Sequence, residues 1–187
     1  MVSMIRKYGL LVGACLPLLA PAIAIAQESD GQFGRLSLSS DQPIEIESDR
    51  FEVDENQSLG VFTGNVTVVQ GETLLKTAQM RVYYNNEEGG SAATGGAQIE
   101  RLEADGGVYL ESEGQVATGD SGSFDMDSEV LVLTGDEVVL TEGENVIVGC
   151  KLTVQMQTGQ ATLESCADRD GSGGRVRMLL TPDSQDR

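Results

Sequence analysis

The sequence contains no histidine and no tryptophan, and only four phenylalanines and four tyrosines among its 187 residues. The lack of histidine removes the usual general base, the common activator of a nucleophile and the commonest metal ligand. Carboxylate pairs remain as a catalytic option, but acidic residues are so numerous that no single pair stands out. The composition therefore predicts a protein that is not an enzyme and that needs no metal or other cofactor.

Positive charge is also scarce. Lysine and arginine together number 12 against 30 aspartates and glutamates, a formal net charge of −18 at pH 7. Two of the basic residues, Arg6 and Lys7, lie in an N-terminal segment that we expect to be removed. The mature chain then has ten basic and 30 acidic residues, a net charge of −20. Such a surface repels nucleic acid and anionic membranes, so the charge excludes nucleic-acid binding.

The first 26 residues have the features of a secretory signal peptide. An apolar run over 10–26 follows the basic start and ends in Ala24-Ile25-Ala26, which has small residues where a signal peptidase reads them. The run is short for a membrane-spanning helix, and two prolines interrupt it. We expect cleavage after Ala26 and export. Two alternatives are an uncleaved N-terminal anchor and a lipoprotein that is processed and lipidated at Cys15.

Cleavage would remove Cys15 and leave Cys150 and Cys166 in an oxidising compartment. Two alternating segments lie between them and flank Gln157-Thr158-Gly159, which fits a three-residue hairpin loop with Gly159 in the left-handed position. In that register the numbers of opposed residues sum to 316, so Cys150 lies opposite Cys166, with Cα atoms about 4.5–5.5 Å apart. We expect a Cys150–Cys166 disulfide, and two reduced buried thiols are the alternative.

Short alternating segments dominate the chain after a polar, unpatterned lead-in over 27–41. The period of two, with glycine, asparagine, aspartate or serine at the breaks, predicts about sixteen short antiparallel strands and essentially no helix. Glycine-rich stretches at 85–97 and 167–174 are expected to be exposed loops. The folded domain therefore spans 42–182, and a tail follows over 183–187.

One phrase in the sequence occurs twice. Residues 61–72 read VFTGNVTVVQGE, residues 132–144 read VLTGDEVVLTEGE, and a fainter copy lies at 105–110. We interpret each Thr-Gly-Asn or Thr-Gly-Asp as the turn of a hairpin that has one apolar face. Stacked hairpins would bury these faces in a continuous interior, which predicts a two-sheet β-sandwich or jelly roll.

The interior would hold aliphatic residues and methionines but few aromatic ones. Two interpretations remain open on this composition. The interior is either well filled, or under-filled and softened by methionine, with room for a flexible apolar guest.

Five segments resemble the LptA (OstA-like) family of periplasmic lipopolysaccharide-transport proteins. They read QPIEIESD at 42–49, FTGNVTV with a following QG at 62–71, LVLTG at 131–135, IVGCKLTV at 147–154 and RVRMLLTP at 175–182. The resemblance implies a twisted antiparallel β-jelly roll, open at both ends, that carries lipopolysaccharide acyl chains in the periplasm. It also implies that copies join end to end with each other and with inner- and outer-membrane components of the same fold.

The resemblance, carried onto this sequence, predicts a set of inward-facing residues that line the path of the acyl chains. Phosphate-binding sites concentrate arginine and lysine, which are dispersed here, whereas acyl-chain burial stabilises by about 0.8 kcal/mol per CH₂. We therefore expect the chains to be held inside and the headgroup to stay outside. Two alternatives are a membrane-associated partner of the same transport system and a secreted structural β-protein with a filled core. The predicted lining residues are Ile44, Ile46, Phe51, Val66, Val68, Leu75, Met80, Val82, Phe124, Met126, Val132, Leu152, Val154 and Met156.

Overall fold

The computed structural model describes residues 42–85, 97–166 and 174–181, which form one antiparallel sheet of ten strands. The predicted signal peptide, the lead-in, most of both glycine-rich loops and the tail lie outside the described residues. The strands are β1 (Glu45–Glu47), β2 (Arg50–Asp54), β3 (Leu59–Gln70), β4 (Thr73–Asn85), β5 (Gln98–Ser112), β6 (Gln115–Asp125), β7 (Val130–Glu142), β8 (Asn145–Gln155), β9 (Gln160–Glu164) and β10 (Arg177–Leu179). Most of the sheet follows the path β1-β3-β4-β5-β6-β7-β8-β10, while β2 also pairs with β3, and β9 also pairs with β8.

Every pairing from β3 to β8 shifts register at one common level. The shifts fall between Thr63 and Val66 in β3, between Asp105 and Val108 in β5, and between Thr134 and Val138 in β7. The intervening strands β4 and β6 shift at the same level, between Thr77 and Gln79 and between Thr118 and Ser121. The residues left without a partner at these shifts therefore form a continuous line of bulges across the six strands. A bulge bends its strand, and the sheet folds over along this line, which we call the corner.

The corner divides the sheet into two halves, and each of the six long strands contributes one segment to each half. The A half contains β1, β10 and residues 66–70, 73–77, 108–112, 115–119, 138–142 and 145–149. The B half contains β2, β9 and residues 59–63, 79–85, 98–105, 121–125, 130–134 and 151–155.

The expected all-β, antiparallel fold is confirmed, but the expected turns at the repeated phrase are wrong. Thr63-Gly64-Asn65 does not connect two strands; it is the bulge of β3, and the second and third copies form the bulges of β7 and β5. Gly64 and Asn65 have φ angles of 81° and 46°, the left-handed backbone that turns and bulges both use. The sixteen expected short strands are therefore six bent strands, each counted as two, and four short ones.

The inner faces of the two halves meet in a single apolar cluster. In the A half, a row of directly paired residues crosses all eight strands. The B half contributes two further apolar rows, and their residues share the same buried cluster with those of the A half. The A row consists of Ile46, Val68, Leu75, Leu110, Ala117, Leu140, Ile147 and Met178.

The expected disulfide between Cys150 and Cys166 is present, with Cα atoms 4.8 Å apart. The register predicted for its hairpin is wrong by one residue, because Gln155 pairs with Gln160 around a four-residue loop. Cys166 lies two residues beyond the end of β9 and is no longer bound by the ladder. It therefore reaches Cys150 without being its formal partner in the pairing.

Candidate functional site

The space between the two halves is the candidate site, and side chains nearly fill it. A cavity of about 20 Å³ remains between Leu75 and Leu110 of the A half and Met80, Leu102 and Phe124 of the B half. A cavity of this volume accommodates about one water molecule. Of the two interpretations of the interior, the well-filled one fits this structure.

Most of the residues predicted to line the interior lie on the inner faces. Eight of the fourteen are fully buried. Four more, Ile44, Ile46, Met126 and Met156, are partly buried and pack against the apolar cluster. The period-two alternation thus places twelve of the fourteen at the interior surface, whereas their contact with lipid stays a prediction. The eight that are fully buried are Val66, Val68, Leu75, Met80, Val82, Phe124, Leu152 and Val154.

Phe51 lies at the open end of the interior rather than within it. It pairs with Phe62 of β3, their rings stack with centroids 4.3 Å apart, and 41% of Phe51 is exposed. At the opposite end, Met178 of β10 pairs with Ile147 and is 57% exposed. Both edges of the folded sheet therefore expose apolar side chains that continue its inner surface.

Val132 faces the wrong way for a lining residue. It alternates with Leu131 and Leu133, which are 5% and 1% exposed, so it lies on the outer face. The run VLVL is apolar on both faces of β7, and its alternation alone does not define which face is inward. The prediction also missed buried residues of β5 to β7 whose alternation was available: Leu102, Ala104, Val108, Leu110, Ala117, Val138 and Leu140.

An ion-pair network covers part of the outer face of the B half. Arg81 lies 3.1 Å from Glu103 and 2.5 Å from Asp105, and Arg101 also pairs with Glu103. Burial of Glu103 opposes its ionisation. The hydrogen bond from Tyr83 and the charges of Arg101 and Arg81 outweigh that effect and hold its pKa below the ordinary value.

Three further cations of the described residues also face carboxylates. Arg50 pairs with Glu52, Lys151 pairs with Glu164, and Arg177 lies 3.5 Å from Glu137. All three, like Arg81 and Arg101, belong to the sheet surface rather than to the apolar cluster. Five of the seven lysines and arginines in the described part of the chain thus form ion pairs on the sheet surface.

The carboxylate of Asp125 has hydrogen-bond partners in the turn between β6 and β7. It accepts hydrogen bonds from the backbone and hydroxyl of Ser128 at 2.9 and 2.6 Å. These bonds lower the pKa of Asp125 and close the β6–β7 turn.

Within 42–85, 97–166 and 174–181, no helix is long and apolar enough to cross a membrane.

Comparison with solved structures supports the same architecture. The fold matches the crystal structure of LptH, the LptA-homologous periplasmic component of the lipopolysaccharide-transport device of Pseudomonas aeruginosa, with a TM-score of 0.60. The match covers 80% of this chain and 99% of that one at 19% sequence identity. At an identity this low, the structural match shows a shared fold and nothing more.

Sequence comparison shows the family. An uncharacterized protein of Rhizobium meliloti (strain 1021) is 46% identical over 167 residues, which cover 89% of this chain and 86% of that protein. A second, from the 5′ region of an rpoN-linked probable transport protein of Rhizobium etli, is 59% identical over 51 residues, 27% of this chain and 83% of that protein. The sequence model of the family described as "LptA/(LptD N-terminal domain) LPS transport protein" matches residues 45–160, most of the described sheet. The chain belongs to this LptA/LptD N-terminal domain family of lipopolysaccharide-transport proteins.

Proposed function

We propose that the protein is a non-enzymatic periplasmic carrier of lipopolysaccharide, which shields the acyl chains between its two halves during transport from the inner to the outer membrane. One observation carries this proposal: the A row presents an apolar side chain from each of the eight strands of the A half, from β1 at one edge to β10 at the other. A continuous apolar surface with open ends offers a path along which an acyl chain is buried throughout.

The interior must widen before it can hold an acyl chain, because its cavity is only about 20 Å³. In the described residues, the backbone hydrogen bonds between strands join segments of the same half. The inner faces of the two halves contact each other through side chains. Separation of the halves about the corner would therefore break apolar contacts but no ladder. The acyl chains would replace those contacts, at about 0.8 kcal/mol of stabilisation per buried CH₂.

The charge distribution supports release of the headgroup rather than a tight grip on it. Lipopolysaccharide carries anionic phosphates, which protein sites usually bind with clustered arginines and lysines. Arg81 and Arg101 are instead engaged by Glu103 and Asp105 on the outer face. We infer that the acyl chains provide the affinity and that the headgroup stays in solvent.

The two edges of the sheet support end-to-end assembly with a second copy or with transport components of the same fold. The strands alternate in direction from β3 to β8, β1 is antiparallel to β3, and β10 is antiparallel to β8. It follows that β10 of one copy and β1 of the next run in opposite directions, as do β9 and β2. Both pairs would continue the antiparallel ladder, and such a heterologous contact forms filaments without closing into a ring.

We also propose that the mature chain begins at Gln27, after removal of the predicted signal peptide over 1–26. The mass of the exported protein and its N-terminal sequence test this boundary. A lipid-modified N-terminus at Cys15, or a full-length chain held in the inner membrane, would contradict it.

Native mass spectrometry of the exported protein, purified after co-expression with lipopolysaccharide, tests the carrier function. The proposal predicts adducts with the mass of the complete lipid, and the same protein refolded from denaturant without lipid serves as the control. A lipid-free spectrum for both samples would contradict the proposal and would favour a structural β-protein with a filled core.

A further inference from the structure

A row of polar side chains lies on the inner face of the A half, at the end of the strands away from the corner. Gln70 pairs with Thr73, and Ser112 pairs with Gln115, in the strand register. The four residues are only 1–5% exposed. We call this row the polar rail. The polar rail runs beside the A row, which includes Val68 and Leu110.

Among the described residues, the B half has no such row at its corresponding end. There Ile99, Met126 and Met156 pack against the apolar cluster. Tyr84, which pairs with Ile99 and is 2% exposed, adds a single hydroxyl that lies 3.5 Å from a carboxylate oxygen of Glu55. The space between the halves is thus bordered by a polar rim on one side and a largely apolar rim on the other. An asymmetric border of this kind suits a ligand whose apolar part enters and whose polar part remains at the rim.

Packing alone does not account for the polar rail. Burial of a hydroxyl or an amide costs free energy unless it is hydrogen-bonded, and apolar residues of similar shape would serve equally well. Within the rail, the hydroxyls of Thr73 and Ser112 lie 2.9 Å apart, and Gln70 Nε2 donates to the backbone carbonyl of Gln42 at 2.9 Å. All four side chains are neutral donors and acceptors, which can exchange one hydrogen-bond partner for another at little cost.

We propose that the polar rail binds the neutral linkages of the lipid, the ester and amide groups by which acyl chains are joined to the sugar. This inference rests on the carrier function proposed above. When acyl chains enter the interior, these linkages leave water at the rim and need hydrogen-bond partners. The amide of Gln115 and the hydroxyls of Thr73 and Ser112 can donate to the carbonyl oxygens. The site would thus recognise the acylated sugar without binding its phosphates.

The test uses the mature full-length protein with two probes. One is an acylated disaccharide with ester and amide linkages labelled with ¹³C at the carbonyls, and the other is diphenylhexatriene, a hydrocarbon without polar atoms. The variant Thr73→Val/Ser112→Ala removes both members of a buried pair, which limits the loss of stability. Thr118→Val serves as the control, because it makes a similar change on the outer face of β6. The side chain of Thr118 lies on the opposite side of the sheet from that of Ala117.

The rail variant should bind the disaccharide lipid about tenfold more weakly than the wild type, the loss of one or two hydrogen bonds. The infrared carbonyl stretch of the bound lipid should move to higher frequency, as it does when a carbonyl loses a hydrogen bond. Diphenylhexatriene should bind unchanged, and Thr118→Val should match the wild type with both probes.

Two contrary results are distinguishable. If the wild type binds the disaccharide lipid, but the rail variant has the same affinity and the same carbonyl frequency, then the rail does not contact the linkages and only this inference fails. If the wild type binds neither probe, then the carrier function itself fails and the inference fails with it.

Discussion

The disulfide between Cys150 and Cys166 joins the corner of β8 to the point where the chain leaves β9. Gly174 then donates its backbone N–H to the carbonyl of Cys166 at 3.0 Å, and β10 follows on the other half of β8. The disulfide thus holds the place where the last edge of the sheet passes from the B half to the A half.

We expect Cys150→Ser/Cys166→Ser to lower the free energy of unfolding by about 3 kcal/mol, because the bond closes a loop of about 17 residues in the unfolded chain. Chemical denaturation of the oxidised wild type and the variant measures this difference. The reduced wild type should unfold like the variant. Two freely alkylated thiols in exported protein would contradict the expected disulfide.

The two adjacent glycines of the β5 bulge should respond differently to alanine. Gly106 and Gly107 have φ angles of 85° and 92°, so a side chain is strained at either position, by about 1–2 kcal/mol. A Cβ at Gly106 would also lie 2.7 Å from the Cβ of Ala78, whereas a Cβ at Gly107 has nothing within 4 Å. Thermal or chemical unfolding should therefore show a larger loss for Gly106→Ala.

A double variant separates the steric contact from the backbone strain. Ala78→Gly removes the Cβ that Gly106→Ala would meet, so the double variant should recover part of the stability lost by Gly106→Ala. The same Ala78→Gly change should not rescue Gly107→Ala. Equal losses for both alanine variants, without rescue, would mean that the bulge differs from the one described.

Glu103 should make stability depend on pH. Its pKa is lowered in the folded protein, so its stabilising effect is full above the unfolded value of about 4.3 and is lost as the pH falls through the lower folded value. Glu103→Gln should therefore reduce stability at pH 7, and the gap from the wild type should close in acid. Glu52→Gln, in an ion pair with Arg50 whose side chains are both more than half exposed, should change little. A gap for Glu103→Gln that persists unchanged in acid would exclude ionisation as its cause.

Deletion of 175–187 should abolish end-to-end association because it removes β10 and the exposed apolar residues Met178, Leu179 and Leu180. Sedimentation of the wild type should depend on protein concentration, and sedimentation of the folded deletion variant should not. Deletion of 183–187 alone retains β10 and should leave association intact. A wild type that is strictly monomeric at high concentration would overturn the edge-pairing proposal.

The sequence predicts the inner face of most strands because polar and apolar residues alternate clearly there, as in Val66-Thr67-Val68 and in Phe124-Asp125-Met126. It does not locate the corner, because a glycine with positive φ suits a bulge inside a strand as well as a turn between strands. In β7, the run that contains Val132 is apolar on both faces, so its orientation depends on the bulge that follows.

The hairpin that follows β8 shows a related limit. Gly159 has the expected positive φ of 64°, but Met156 joins the loop, so the register moves by one residue. The alternation predicts that Met156 faces inward, which the structure bears out. Whether Met156 ends a strand or begins a turn depends on contacts between strands rather than on local sequence.

Site-specific photo-crosslinking tests the central claim, acyl chains between the two halves, most directly. A photoreactive residue at Val66, Phe124 or Val154, all at most 3% exposed on the inner face, should capture lipopolysaccharide. The same residue at the neighbouring outer-face positions 67, 125 and 153 should capture little. Equal capture from both sets, or capture from the outer set alone, would contradict the account and place the lipid on the surface of the sheet.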